Sequence, residues 1–191
     1  GKFNGKWGIF MNNKNLFMKL DDKYIKELII LKLKRYYEFV KGEEYKNSFI
    51  NLTITYGYSD FIEMLSRIAL EKVVERISEI SEQGKVRILF NEEIKINNKK
   101  GDLLKTCDVI LFTNETVEVI RIVPMELDII NVNNDDESMI LGIGVIDKFA
   151  TQMDCKYINL TVIQPNLITT SIYETSINKF LHEYDFSLIW S

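Results

Sequence analysis

The sequence contains few cysteines, histidines, prolines and glycines, and each shortage excludes a class of protein. The two cysteines, Cys107 and Cys155, lie far apart without a CxxC pair, which argues against a disulfide framework and against a cysteine zinc site. The single histidine, His182, excludes a histidine-rich zinc site. Two prolines and nine glycines predict few long loops.

Long apolar runs are also missing. No stretch approaches the roughly 18 consecutive apolar residues that a membrane-spanning helix needs, so we expect a cytoplasmic protein without membrane contact. What is present is typical of one compact domain that can bury a core: 191 residues, of which 46% are hydrophobic and 27% charged.

Charge is unevenly distributed along the chain. Residues 1–47 contain 11 Lys and Arg against 6 Asp and Glu, a net charge of +5, whereas residues 48–191 contain 13 against 22, a net charge of −9. We therefore distinguish a basic N-terminal subregion, 1–47, from an acidic core, 48–191, within a single domain. The negative net charge of residues 48–191 argues against tight nonspecific DNA binding. The basic subregion either packs on the acidic remainder or contacts phosphates.

Aromatic residues concentrate in the same N-terminal third. Aromatic rings beside Lys and Arg are typical of nucleic-acid stacking surfaces and of protein interaction hot spots alike. The candidate partner contacts are Trp7, Lys23, Lys26, Lys34, Arg35 and Tyr37. Lys32 differs from the other lysines, because on a helical wheel it lies within an apolar arc.

Hydrophobic periodicity predicts an α+β fold with a central, mainly antiparallel sheet flanked by helices and an N-terminal hairpin–helix extension. The predicted helices cover residues 22–40, 59–81, 137–152 and 175–184. The predicted strands are an N-terminal hairpin over 5–20 and segments 48–56, 85–90, 92–97, 107–113, 116–123, 157–164 and 168–173. The strands from 85 to 123 form an antiparallel meander.

Several segments between about residues 105 and 175 resemble a known family. They are Thr106–Ile110, Thr116–Ile120, Glu137–Gly144 and Thr161–Leu167. Together they resemble an uncharacterised family encoded by phages and prophages, in the RecB-like branch of the PD-(D/E)xK nuclease superfamily. The resemblance implies a nuclease-like core in which Asp108, on a meander strand, is one of two carboxylates that hold Mg²⁺, with an activating lysine on the next strand.

The departures from that pattern are as informative as the matches. Arg121 stands where the resemblance places the second carboxylate, and Val123 stands where it places the lysine. Glu137 replaces the glutamine of the helix that supports the site. One carboxylate beside a cation is a poor Mg²⁺ site. We therefore expect a degenerate site without metal, cofactor or hydrolytic activity.

Two hypotheses concern the remaining acidic residues. In the first, Arg121 pairs with Asp108 and takes the electrostatic place of the lost metal. In the second, Glu118, Glu126 or Glu137 joins Asp108 in a rearranged Mg²⁺ site. We expect instead that Glu118, Glu126 and Asp128 are surface acids, and that Glu118 lies on the opposite pleat from Arg121.

Three functions follow from these expectations. The first is a non-enzymatic binding protein from a phage or mobile element, an inhibitor of a nucleic-acid-guided defence nuclease (an anti-CRISPR protein), whose partner is a host protein or ribonucleoprotein. The alternatives are a Mg²⁺-dependent nuclease with a rearranged site and a nucleic-acid-binding scaffold of a phage recombination complex. The sequence does not indicate an oligomeric state.

Overall fold

The structure is a computed structural model that describes residues 9–11, 22–39, 58–81, 86–97 and 101–184, with side chains described over 24–33, 60–81, 86–97 and 101–184. Within these ranges four α-helices flank one sheet. The helices are α1 (Asp22–Phe39), α2 (Tyr58–Ile80), α3 (Asp136–Phe149) and α4 (Ile177–Glu183). The strands are β1 (Ile9–Met11), β2 (Val86–Ile96), β3 (Leu103–Phe112), β4 (Thr116–Ile122), β5 (Tyr157–Gln164) and β6 (Thr169–Ser176).

The strands lie side by side in the order in which they occur along the chain. All neighbouring pairs are antiparallel except β4 and β5, which run parallel. A parallel pair needs a long crossover connection, and the segment with α3 supplies it. The predicted fold class, a mixed α+β domain with a mainly antiparallel sheet, is confirmed.

Each face of the sheet carries its own hydrophobic core, because successive side chains of a strand point to opposite faces. Val109 and Leu111 pack with α1 and α2 on one side. Ile110 and Phe112 pack with α3 and α4 on the other. We refer to these as the α1–α2 face and the α3–α4 face.

Helix α1 is built into the core although it lies in the basic subregion. Ile25, Leu28, Ile29 and Leu33 have the i, i+3, i+4, i+8 spacing of one helix face, and all are buried in the same cluster as α2. On α1, Lys26 forms an ion pair with Glu63 of α2. At least one lysine of the basic N-terminal subregion therefore pairs with a carboxylate of the acidic part of the chain.

On the α3–α4 face, α3 approaches the sheet closely at two glycines. A Cβ at Gly144 would lie 2.2 Å from Cγ2 of Ile94, and a Cβ at Gly142 would lie 2.8 Å from Cδ2 of Leu160. Both positions therefore need glycine to seat the helix at this distance. Close packing against the sheet thus accounts for the two glycines of Gly142-Ile143-Gly144.

The prediction of two strands over 85–90 and 92–97 is wrong. Residues 86–96 form the single strand β2, which pairs with β3 on both sides of Asn91. Asn91 has a positive φ of 51°, a conformation that asparagine tolerates better than most residues. The polar residue therefore bends the strand without ending it, and the meander has three strands.

Other element bounds differ less from the predictions. β3 begins four residues earlier than predicted, β6 extends three residues further, and α3 ends three residues earlier. Residues 9–11 of the predicted hairpin form β1, which pairs with β2. The turn and second strand of that hairpin and the predicted strand 48–56 lie outside the described residues.

Candidate functional site

Asp108 lies where β3 and β4 stop pairing. Their last pair in this direction joins Val109 to Ile120. Beyond it, the backbone N–H of Ile122 donates to Oδ2 of Asp108 at 2.8 Å, so the carboxylate takes the place of a strand partner. Only 4% of the Asp108 side chain is exposed. A carboxylate buried in this way needs a positive charge nearby.

Lys32 of α1 supplies that charge. Its Nζ donates to Oδ2 of Asp108 and, at 2.6 Å, to the backbone carbonyl oxygen of Ile122. The ammonium therefore lies against one carboxylate and one carbonyl, which are the oxygen ligands that hard cations prefer. The helical wheel places Lys32 in an apolar arc. It does not identify the partner of Lys32, because Asp108 lies 76 residues away in sequence.

The hypothesis that Arg121 pairs with Asp108 does not hold in the structure. Nε and Nη2 of Arg121 donate to Oδ2 of Asp135 at 2.9 and 2.8 Å. Asp135 precedes α3 and also accepts from Oγ of Ser138 at 2.5 Å. Arg121 thus pairs with an acid on the α3–α4 face, while Asp108 contacts a lysine on the α1–α2 face. Side chains that point to opposite sides of the sheet cannot pair.

The other two positions of the degenerate site carry no chemistry directed at Asp108. The backbone N–H of Val123 donates to the carbonyl of Ile163 at 2.8 Å, and its side chain packs against the core of the α3–α4 face. Glu137, in the first turn of α3, accepts from Nζ of Lys105 at 2.5 Å. The position at which the resemblance places a lysine is thus apolar, and Glu137 pairs with Lys105 instead of Asp108.

Glu118 is fully buried, so the expectation of a surface acid is wrong for this residue. It faces α2, where Nε and Nη2 of Arg76 donate to its two oxygens at 2.9 and 2.6 Å. Nδ2 of Asn159 donates to the same carboxylate at 3.0 Å. The expectation that Glu118 and Arg121 lie on opposite pleats is confirmed. Glu126 is half-buried and Asp128 is exposed.

Arg76 was not identified from the sequence, although it follows Val73 and precedes Ile77 on the buried side of α2. Burial of the guanidinium opposes its charge, but the hydrogen bonds and attraction of Glu118 outweigh burial, and the pKa of Arg76 is raised above its usual value. The Arg76 guanidinium therefore stays charged inside the protein. Glu174 of β6 adds a weaker attraction, 3.6 Å from the guanidinium.

Across the part of the chain that the structure describes, no three His, Cys, Asp or Glu side chains lie close enough together to hold a metal ion. Glu118, Glu126 and Glu137, the residues of the alternative Mg²⁺ site, do not form such a group with Asp108. No described helix is both long and apolar enough to cross a membrane.

The candidate partner contacts are mostly outside the described part. Trp7 is not described, and for Lys23, Lys34, Arg35 and Tyr37 only the backbone in α1 is described. Lys26 is the exception, and it contacts Glu63 of the same chain. The prediction of a basic contact surface on this subregion stays a prediction.

Comparison with known proteins places the chain in a family. A family model described as a protein of unknown function, DUF2800, matches residues 23–186. The chain therefore belongs to the DUF2800 family. The match begins in α1 and continues past α4, so α1 belongs to the shared part of the family together with the sheet. No curated protein and no solved structure matches the chain.

Proposed function

We propose that this DUF2800 member is a catalytically inactive binding protein on a decayed nuclease fold, encoded by a phage or mobile element and acting in the bacterial cytoplasm. The order of its elements supports this origin. Helix α2 precedes the antiparallel meander, α3 follows, and β5 returns parallel to β4. Asp108 lies on the middle strand of the meander, where the resemblance places a metal-binding carboxylate.

The observation that carries the proposal is the ammonium of Lys32 on Asp108 and on the carbonyl of Ile122. A divalent ion at this point would have to displace a cation that belongs to the chain. It would then find a single carboxylate, since Arg121 stands in the place of the second. Both effects oppose metal binding through Coulomb repulsion and loss of anionic ligands. The residues present therefore do not fit a catalytic Mg²⁺.

Without chemistry of its own, the protein acts by binding, and the partner we favour is a host protein or ribonucleoprotein. An acidic surface suits the basic groove of a nucleic-acid-guided nuclease. Inhibition of such a nuclease, as by an anti-CRISPR protein, is the specific form that we propose. This step is an analogy from fold and charge.

A cleavage assay tests the inactive site. The purified protein, incubated with Mn²⁺ or Mg²⁺ and labelled single- and double-stranded DNA and RNA, leaves every substrate intact. Cleavage that is lost in Asp108→Ala would overturn the proposal and establish a Mg²⁺-dependent nuclease. Salt-sensitive DNA binding without cleavage would also overturn it, in favour of a recombination scaffold.

An inhibition assay tests the partner class. The protein is added to a guide-loaded Cas effector, and cleavage of the target decreases as the protein concentration rises. Because α1 contributes to the core, the basic subregion is tested by substitution and not by deletion. The triple variant K23Q/K34Q/R35Q inhibits less than the native chain if this surface makes the contact. Equal inhibition by both proteins would remove the subregion from the interface.

A further inference from the structure

Three large aliphatic side chains are exposed at one end of the sheet. Leu127 and Ile129, in the connection between β4 and α3, are 39% and 70% exposed, and Ile168, in the turn between β5 and β6, is 65% exposed. We call these three residues the aliphatic patch. Single exposed apolar residues are common on protein surfaces, so the patch needs further evidence before it indicates a binding surface.

The first such evidence is the network that holds the connection in place. Gln164, at the end of β5, is buried, and it uses both ends of its amide. Nε2 donates to the carbonyl of Asp128 at 2.9 Å, and Oε1 accepts from the N–H of Ile130 at 2.8 Å. Nδ2 of Asn166 donates to the carbonyl of Glu126 at 2.8 Å.

The side chains of Gln164 and Asn166 thus hold the backbone of residues 126, 128 and 130 from one side. The carbonyls of residues 126 and 128 face the β5–β6 turn, while Leu127 and Ile129, the residues between and after them, are exposed. The two aliphatic side chains are thus displayed on a backbone that is ordered before any partner arrives. Preorganisation of this kind lowers the entropic cost of binding.

Backbone strain at Ile168 is the second line of evidence. Its φ is 53°, a value that is a genuine outlier for a β-branched residue. This conformation is unfavourable for an L-residue with a branched Cβ, and burial offsets little of the cost because 65% of the side chain is exposed. Strain that the rest of the molecule sustains is found preferentially at ligand-binding and functional sites.

Charge around the patch indicates the chemistry of the partner. Residues 122–147 and 157–178, the two segments that carry the patch, contain no Lys or Arg, and acidic residues Glu126 and Asp128 flank Leu127 directly. Aliphatic side chains with two neighbouring carboxylates, on segments without Lys or Arg, complement an apolar pocket that has Lys and Arg at its rim.

We propose that Leu127, Ile129 and Ile168 form a docking surface for a protein partner that presents an apolar pocket with a basic rim. This inference rests on the proposed function, which requires a protein partner, and it adds a contact surface distinct from the basic N-terminal subregion. The aliphatic side chains supply the buried area and the flanking carboxylates supply orientation.

The test uses a fluorescent synthetic peptide of Leu and Lys that forms a basic amphipathic helix, with binding followed by anisotropy. The native chain binds the peptide about tenfold more tightly than the triple variant L127S/I129S/I168S does. The matched control is L103S/L104S, which removes two exposed leucines at the start of β3 and binds as the native chain does. Equal losses of peptide affinity in both variants would show nonspecific hydrophobic binding and overturn the proposal.

Two further measurements separate the alternatives. In E126Q/D128N, peptide binding depends less on salt than in the native chain, since two carboxylates are gone. Ile168→Asn weakens binding and raises Tm by about 2–4 °C, because asparagine tolerates the positive φ. A decrease in Tm, or native dimers that the triple variant converts to monomers, would assign the patch to internal packing or to a second copy of the chain.

Failure of this test is distinguishable from failure of the proposed function. Cleavage of nucleic acid through Asp108 would overturn the proposed function while the difference in peptide binding between the native chain and L127S/I129S/I168S remained. Unchanged peptide binding in the triple variant would overturn the patch and leave the inactive site as it is.

Discussion

The two faces of the sheet hold their helices by different means. On the α1–α2 face, two ion pairs with almost fully buried carboxylates join helix to sheet, Lys32 to Asp108 and Arg76 to Glu118. On the α3–α4 face the contact is apolar and close, with glycines in α3, and the ion pairs lie nearer the rim.

This difference has an energetic consequence. A buried charge that loses its partner keeps its desolvation cost, whereas a charge at the rim returns to water. An apolar contact between helix and sheet depends instead on shape, since any extra atom must displace a neighbour. The α1–α2 face should therefore be sensitive to loss of charge, and the α3–α4 face to gain of volume.

The largest effect is expected for Arg76→Met, which leaves Glu118 buried without its cation. We expect a loss of about 3–5 kcal/mol in the free energy of unfolding, measured by urea denaturation. The double variant R76M/E118Q removes the orphaned charge and should recover part of the loss. If Arg76→Met is as stable as R76M/E118Q, the α1–α2 face is not sensitive to an unpaired buried charge and the comparison is wrong.

Gly144→Ala tests the opposite face by adding volume. The new Cβ would meet Cγ2 of Ile94 at 2.2 Å, on a β-branched side chain with little freedom to move. We expect a loss of about 1–3 kcal/mol in urea denaturation. Gly142→Ala is the matched control, since its Cβ would meet the mobile end of Leu160 at 2.8 Å, and it should cost less. The reverse order would contradict the packing argument.

Arg121→Gln probes an ion pair of intermediate burial, in which the two side chains are 18% and 13% exposed. Loss of the charged hydrogen bonds to Asp135 should cost about 1–2 kcal/mol, measured in the same urea series. Ser138 still donates to Asp135 in the variant, which limits the effect. A loss as large as that of Arg76→Met would remove the distinction between rim and interior.

Lys148→Ala should have the smallest effect on stability. Its ion pair with Glu92 is at the surface, with 39% of the lysine side chain exposed, and such pairs contribute about 0.5 kcal/mol. Added salt should reduce even that difference between native and variant chains. A loss above about 2 kcal/mol would mean that this rim pair behaves like an interior one.

Thiol labelling compares the burial of Cys155 and Cys107 without any substitution. Burial raises the pKa of Cys155 to about 11, so little thiolate exists at pH 8, and alkylation by iodoacetamide should accelerate about tenfold per pH unit from 8 to 10. Burial, with the nearby charge of Asp108, raises the pKa of Cys107 further. Cys107 should label only when the chain unfolds, as mass spectrometry of urea-treated samples would show. Labelling of Cys107 in the native state would contradict its burial.

The sequence predicts most of the described fold because the helices and strands carry regular periodicity. Helix α2 and strand β5 were located within a residue or two, since each has an uninterrupted apolar pattern ending at a polar break or at Pro165. β2 was divided in error because Asn91 is a turn residue by composition. Its partners on β3, which are distant in sequence, decide that the strand continues.

The candidate site is less predictable because its contacts are long-range. The resemblance alone shows that Arg121 and Val123 differ from the residues it would place there. Which cation neutralises Asp108 is not readable, since Lys32 reaches it only after α1 packs on the sheet. Glu118 was assigned to the surface for the same reason, because Arg76, 42 residues earlier, makes its burial possible.

The bond between Lys32 and Asp108 also makes the contact between α1 and the sheet independent of dissolved metal ions. A dissolved metal fills a site only to the extent that its free concentration exceeds its dissociation constant, whereas a side chain is present once per molecule at all times. Chelators and magnesium starvation should leave the attachment of α1 to the sheet unchanged. This contact between helix and sheet is then insensitive to changes in ion concentration that would fill or empty a metal site.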